Sequence, residues 1–190
     1  MGADKIVFDI ETKNSFADVG GDHNIEKLEV SVVGAYSYAQ DKYFCFNEYE
    51  LDQFVALVRS ARLLIGFSSK RFDAAVLKKH FPFNIATIPH FDILEEIEKV
   101  LGRRIGLGVL AEANLGIGKT GHGLEAIDLY RRGDIQKLKD YCVNDVKITK
   151  DIFELIKNRG FLWIPERGIP QMKKIEISYH EEPISQASLI

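Results

Sequence analysis

Five residues in three separated segments carry side chains that could do chemistry together: Asp9 and Glu11 in KIVFDIET, Asp73 in KRFDAAVL, and Tyr141 and Asp145 in DYCVNDV. KIVFDIET is β-branched and aromatic and reads as a strand, along which side chains alternate between faces. Ile6, Phe8 and Ile10 share one face; Val7, Asp9 and Glu11 share the other. Two carboxylates whose Cα atoms are roughly 7 Å apart on one strand face repel each other unless solvent or a divalent cation relieves them. Asp145 lies in an amphipathic stretch whose apolar stripe runs through Leu138, Tyr141, Cys142, Ile148, Ile152, Phe153 and Ile156. It stands seven residues from both Leu138 and Ile152, so a helix that turns those two inward turns this carboxylate inward as well. Asp is a poor mid-helix residue and here is too far from either end to cap one. A buried carboxylate is costly unless it is hydrogen-bonded, paired or bound to metal. Tyr141, one turn earlier, could satisfy it by a structural hydrogen bond. Asp73 falls in the first turns of a helix beside Val76 and Leu77, where the helix dipole alone would favour it. Four inward carboxylates from three segments are explained together by a shared pair of hard divalent cations, Mg²⁺ or Mn²⁺, which prefer carboxylate oxygens.

The elements that must position these residues follow from the hydrophobic pattern. After the first strand, residues 14–24 are polar and read as a loop; residues 28–39 and 43–46 read as two strands joined by the turn AQDK. LDQFVALVRSA has helical spacing, RLLIGF reads as a buried strand, and KRFDAAVLKKHF as a helix stopped near Pro82. A short strand is expected before the helix FDILEEIEKVLG, and residues 106–123 are Gly-rich without a clear period. Gly133-Asp134 reads as a break and N-cap for a long helix that ends at Gly160 as its C′ residue. Early strands in hairpins and a later strand after a helix predict a mixed α/β sheet flanked by helices. Beyond Gly160, FLWIPERGIP is Pro-rich, KKIEISY alternates like an edge strand, and HEEPISQASLI reads as a tail.

A chain of 190 residues with 46% hydrophobic and 28% charged residues is long enough for one domain with a real core. Its formal net charge of −3 argues against coating nucleic acid by charge alone, though not against an enzyme whose bound metals supply the positive field. The two cysteines, Cys45 and Cys142, lack zinc-like spacing and read as buried free thiols. His23, His80, His90, His122 and His180 show no paired ligand spacing either. The N-terminus does not read as a signal peptide and no run is long enough for a membrane span, so a cytoplasmic location is expected.

Taken in order, FDIET (8–12), FD (72–73) and YCVND (141–145) resemble the three motifs of the DEDD-type 3′–5′ exonucleases of the ribonuclease H-like superfamily. The Tyr four residues before the last Asp resembles the Tyr-containing DEDDy branch. The chain is similar to the proofreading domains of family B DNA polymerases, and more so to small free-standing bacterial and phage exonuclease-like proteins, over residues 5–158. The resemblance implies a ribonuclease H-like exonuclease domain over residues 1–160, followed by a C-terminal extension over 161–190. It also implies hydrolysis of phosphodiester bonds at the 3′ end of single-stranded DNA or RNA. Asp9, Glu11, Asp73 and Asp145 would hold two Mg²⁺ or Mn²⁺ ions and Tyr141 would position the attacking water. Thr12, which closes the first motif, and Phe72, whose ring could stack on a base, are the expected substrate contacts; a core role for Phe72 is the alternative. Where family members often carry Asn, five residues before the second-motif Asp, this chain has Ser68, which leaves the substrate preference open.

Two other functions fit parts of the sequence. ANLGIGKT (113–120) is one residue short of the phosphate-binding P-loop of an NTPase, with Ala113 at the first Gly position. Such a loop needs a strand before it and a helix after it; otherwise it borders the cleft, with Lys119 either touching a phosphate or simply solvated. The other alternative is a non-catalytic nucleic-acid-binding module on the same fold, which loss of a metal ligand would favour.

Overall fold

Alternation in the first strand sets the two faces of the molecule. In the computed structural model, which describes residues 4–118 and 123–181, β1 (Asp4–Thr12) lies at the centre of a five-stranded sheet. Its neighbours are β2 (Val30–Ser37) and β4 (Ala61–Gly66); β3 (Lys42–Asn47) and β5 (His90–Asp92) form the edges, in the order β3-β2-β1-β4-β5. β1–β2 and β2–β3 pair antiparallel, β1–β4 and β4–β5 parallel. This is the mixed α/β sheet flanked by helices that the pattern predicts.

Ile6, Phe8 and Ile10 face a core shared with Phe54 and Val58 of α1 (Leu51–Val58) and Val76 and Leu77 of α2 (Asp73–Leu77). Val7, on the opposite face, packs with Val146, Ile152 and Phe153 of the long helix α6, Ile135–Arg159. Between them lie α3 (Ile93–Leu101), α4 (Leu107–Leu115) and α5 (Gly123–Arg131). Ala126 and Leu129 of α5 pack on Leu138 and Cys142 at the start of α6. Gly160 ends α6 in the left-handed conformation, φ 73°, and its amide closes on the Ile156 carbonyl, as its place after the last helical residue predicts.

The structure departs from the pattern in three places. The second helix begins only at Asp73, and Lys78–His80 continues it as a 3₁₀ turn. The Gly-rich stretch from 106 holds α4, whose apolar residues, among them Leu107, Val109, Leu110 and Leu115, are spread round the helix and so show no single stripe. The C-terminal alternation is not an edge of the main sheet. β7 (Met172–Glu176) pairs antiparallel with β6 (Phe161–Pro165) in a separate hairpin. Leu162, Ile164 and Ile175 join the core of α6, because alternation in FLWIP points Leu and Ile inward despite the terminal proline. The expected tail falls, from residue 182 on, outside the described residues. Among the described residues no helix is long and apolar enough to cross a membrane.

Candidate metal centre and active site

β4 follows β1 only as far as the Val7–Ile65 pair. Beyond it the parallel strands part, and a cleft opens at their carboxyl ends, where open α/β sheets commonly bind ligands. Asp9, Glu11, Asp73, Tyr141 and Asp145 all line this cavity, whose volume is about 740 Å³. One oxygen each from Asp9, Glu11 and Asp145 can be chosen so that all three lie within 4.8 Å of one another. Asp73 stands outside that close set, although it lines the same cavity. Its Oδ1 accepts the Ile10 amide at 3.0 Å, an N–H that β4 would have taken had the strands stayed paired.

The close set depends on how near α6 comes to the sheet. Asp9 pairs with Gly34 on β2, and Gly34 with Cys45 on β3. A β carbon on Gly34 would lie 2.8 Å from Val146 Cγ2 and 3.0 Å from Cys142 Sγ. The missing side chain therefore lets α6 settle on the sheet, with Cys142 Sγ 3.6 Å from the Asp9 carbonyl oxygen. Asp145, one turn further on, then reaches the two carboxylates of β1. Both cysteines are free thiols, but only Cys142 is buried as expected; Cys45, on the edge strand β3, is half-buried.

Asp73 is held by a loop that sequence reasoning missed. The buried Asp92 carboxylate accepts the amides of Ser68 and Lys70, each at 2.9 Å, and also caps α3 through the amides of Leu94 and Glu95. A capping signature, Asp followed three residues later by Glu95, was legible there; the second task of Asp92 was not. Ser69 Oγ lies 2.7 Å from His90 Nε2, and burial holds His90 down to about 4, so this imidazole is neutral at neutral pH. Ser68 adopts φ 64°, a left-handed conformation in which Asn is far commoner than Ser. The Asn-to-Ser departure thus occurs at a position with a backbone demand.

The electrostatics of the cluster are repulsive. Two charges 4.8 Å apart repel by roughly 3.5 kcal/mol at an effective dielectric of about 20. Burial, then Asp73, Glu11 and Asp145, raise Asp9 well above the usual carboxylate range. Burial, then Asp145 and Asp73, do the same to Glu11. Burial lifts Asp145 to about 6. Burial also lifts Asp73 to about 7, against the lowering effect of its backbone hydrogen bonds. Asp145 Oδ1 is buried with no hydrogen-bond partner, so the alternative, a structural Tyr141–Asp145 bond, does not satisfy it. A buried unpaired carboxylate oxygen, aimed at two more carboxylates, fits a hard divalent cation and is otherwise costly. Burial, with Asp145, Glu11 and Asp9, also raises the Tyr141 phenol, which stays protonated at neutral pH.

The expected substrate contacts divide. Phe72 lines the cavity and also packs against the core of β1, α1 and α2, its ring centroid 5.8 Å from that of Phe16 in an edge-on arrangement. The Thr12 hydroxyl donates to the Asn14 carbonyl at 2.9 Å, and Thr12 faces an adjoining hollow shared with Glu11, Phe16 and Phe72. Lys119 lies outside the described residues. The segment before it is helix α4 and not a strand, so the near-match to a phosphate-binding loop lacks its structural context. The cavity also holds two cations that were not anticipated, Arg71 and Arg104.

Sheet order, flanking helices and a carboxylate cluster at the strand ends together define a ribonuclease H-like α/β fold. The chain belongs to the ribonuclease H superfamily: the model of that family matches residues 6–157. No curated protein matches it. Among solved structures it is similar to Trypanosoma brucei RNase D, with 21% identity and a TM-score of 0.53, over 80% of this chain and 57% of that one. The chain thus spans little more than half of that protein, and at this identity the likeness is one of fold.

Proposed function

We propose that the chain is a divalent-metal-dependent 3′–5′ exonuclease that hydrolyses phosphodiester bonds at the 3′ end of single-stranded DNA or RNA. The observation that carries the reading is the buried, unpartnered Asp145 Oδ1 within 4.8 Å of carboxylate oxygens of Asp9 and Glu11 in an open cleft. In this reading Asp9, Glu11 and Asp145 hold the metal, with Asp73 adding charge from the parting of β1 and β4. Two Mg²⁺ or Mn²⁺ ions would supply Lewis-acid stabilisation of the attacking and leaving oxygens of the phosphodiester. Tyr141, kept protonated, orients the attacking water through its hydroxyl and does not act as the base. Phe72 offers an aromatic face or edge to the terminal base.

The experiment is degradation of single-stranded DNA and RNA, labelled at the 3′ or the 5′ end, in Mg²⁺, Mn²⁺ or EDTA. Stepwise release of mononucleotides from a free 3′ hydroxyl, abolished by EDTA, is expected. Efficient cutting of a circular single strand would identify an endonuclease instead.

A further inference from the structure

The cleft that gathers the carboxylates also carries two guanidinium groups. Arg71 precedes Asp73 by two residues on the loop between β4 and α2, and Arg104 lies three residues past the end of α3. Both line the cavity with Asp9, Glu11 and Asp145. The loop that carries Arg71 is pinned by Asp92 through the Ser68 and Lys70 amides. Arg103 and Arg104 diverge: Arg103 reaches back to the Pro165 carbonyl at 3.1 Å, whereas Arg104 reaches forward to Ser68 Oγ at 2.7 Å. Ser68 thus links the two arginines, since it accepts from Arg104 and belongs to the loop of Arg71.

Cations in an acidic cleft ordinarily pair with its carboxylates. Among the described residues, neither arginine is paired with Asp9, Glu11, Asp73 or Asp145, and Arg104 lies 3.7 Å from Glu98 instead. The residues 106–109 at the start of α4 line the cavity beside them, and a β carbon on Gly106 or Gly108 would meet nothing within 4 Å. The cleft therefore has an acidic wall and a rim of guanidinium groups, with open backbone alongside.

We propose that Arg71 and Arg104 clamp the phosphate one nucleotide upstream of the bond that is cut, so that the site reads two successive phosphates of a strand. The proposal rests on the exonuclease reading above. A scissile phosphate beside the carboxylates needs the metal ions to be tolerated there. The next phosphate is carried past them, and a bare anion against that wall would be repelled. Guanidinium forks match phosphate oxygens in geometry and charge, which an ammonium does only as a point charge.

The test uses two dinucleotides that differ only at the 5′ end, phosphate or hydroxyl, with the full chain and Mn²⁺. The 5′ phosphate occupies the upstream position. A kcat/KM higher by about tenfold or more for the phosphorylated dinucleotide is expected, carried by KM, as for a charge-assisted hydrogen bond made equally before and during reaction. Arg71→Ala and Arg104→Ala should each shrink the ratio, the double variant should bring it near one, and Arg104→Lys should keep part of it. Equal use of the two dinucleotides by the wild-type chain, or a ratio unmoved in the double variant, overturns the clamp. Failure to cut any strand would defeat the exonuclease reading separately. Calorimetric binding of the same dinucleotides in Mn²⁺ then decides the clamp: a phosphate preference lost in the double variant upholds it, and equal affinities overturn it.

Discussion

Asp73 Oδ1 accepts a hydrogen bond from the Ile10 amide at 3.0 Å, at the point where β1 and β4 part. One acidic residue of the site is thereby tied to the backbone between two others, Asp9 and Glu11. Without a cation, this arrangement stores repulsion that either protons or metal must relieve.

That repulsion gives the metal-free chain an unusual pH dependence. Asp73 is lifted to about 7, Asp145 to about 6, and Asp9 and Glu11 are also raised, against unfolded values of about 4. Between about pH 4 and 7 the folded chain therefore binds more protons than the unfolded chain, and its stability falls as pH rises. His90, held down to about 4, works in the opposite sense below its unfolded value of about 6.5. Four raised carboxylates outweigh one imidazole. The Tm in EDTA should fall between pH 5 and pH 8, and Mn²⁺ should raise it most at pH 8. A Tm in EDTA that climbs across this range would refute the electrostatic account.

Asp145→Asn keeps the shape of the side chain and removes the charge proposed to hold metal. Nuclease activity should drop by about 10²-fold or more, the scale on which charge stabilisation of the transition state operates. The Tm in EDTA should hold or rise, because an unpaired buried charge is gone. A lower Tm in EDTA with near-normal activity would mean that Asp145 has a structural role instead.

Tyr141→Phe should be milder, about tenfold in kcat, since one hydrogen bond to water is lost while the carboxylates remain. The pH profile of the variant should keep the wild-type shape through pH 9, because a phenol raised above its ordinary value does not titrate in that range. Loss of an ascending limb, along which wild-type activity rises as the phenol deprotonates, would instead make Tyr141 a titrating base.

Gly34→Ala should push α6 away from the sheet, because its β carbon would stand 2.8 Å from Val146 Cγ2 and 3.0 Å from Cys142 Sγ. A loss of about 1–3 kcal/mol is expected from overpacking, read by urea denaturation. Mn²⁺ affinity should fall as well, since Asp145 moves with the helix. Unchanged Mn²⁺ affinity in a destabilised variant would separate helix docking from the metal site.

Asp92→Ala should cost about 2–4 kcal/mol, because it removes the cap of α3 and strands the Ser68 and Lys70 amides. At temperatures where the variant is folded, its activity should still be reduced, since the loop that leads into Asp73 loses its anchor. Full activity of the folded variant would show that the loop needs no such tie.

Local periodicity made half of the site legible. Alternation in KIVFDIET placed Asp9 and Glu11 on the face of Val7, and helical spacing turned Asp145 inward with Leu138 and Ile152. These outcomes follow from backbone geometry, which repeats every two residues in a strand and every 3.6 in a helix, so neighbours in sequence suffice to decide them. The mixed sheet and its helices were legible for the same reason. What no local period contains is the distance between elements. Nothing in its strand marks Gly34 until α6 is laid across it. Asp73 by its own local pattern is only a helix-dipole carboxylate, and its bond to the Ile10 amide, 63 residues away, exists only once β1 and β4 part. No period singles out Arg71 or Arg104; the Asp92-anchored loop and the end of α3 bring both to one cleft. Those relations arise only when remote segments pack, because hydrogen bonds and van der Waals contacts act over a few ångströms and chain separation along the sequence does not predict them.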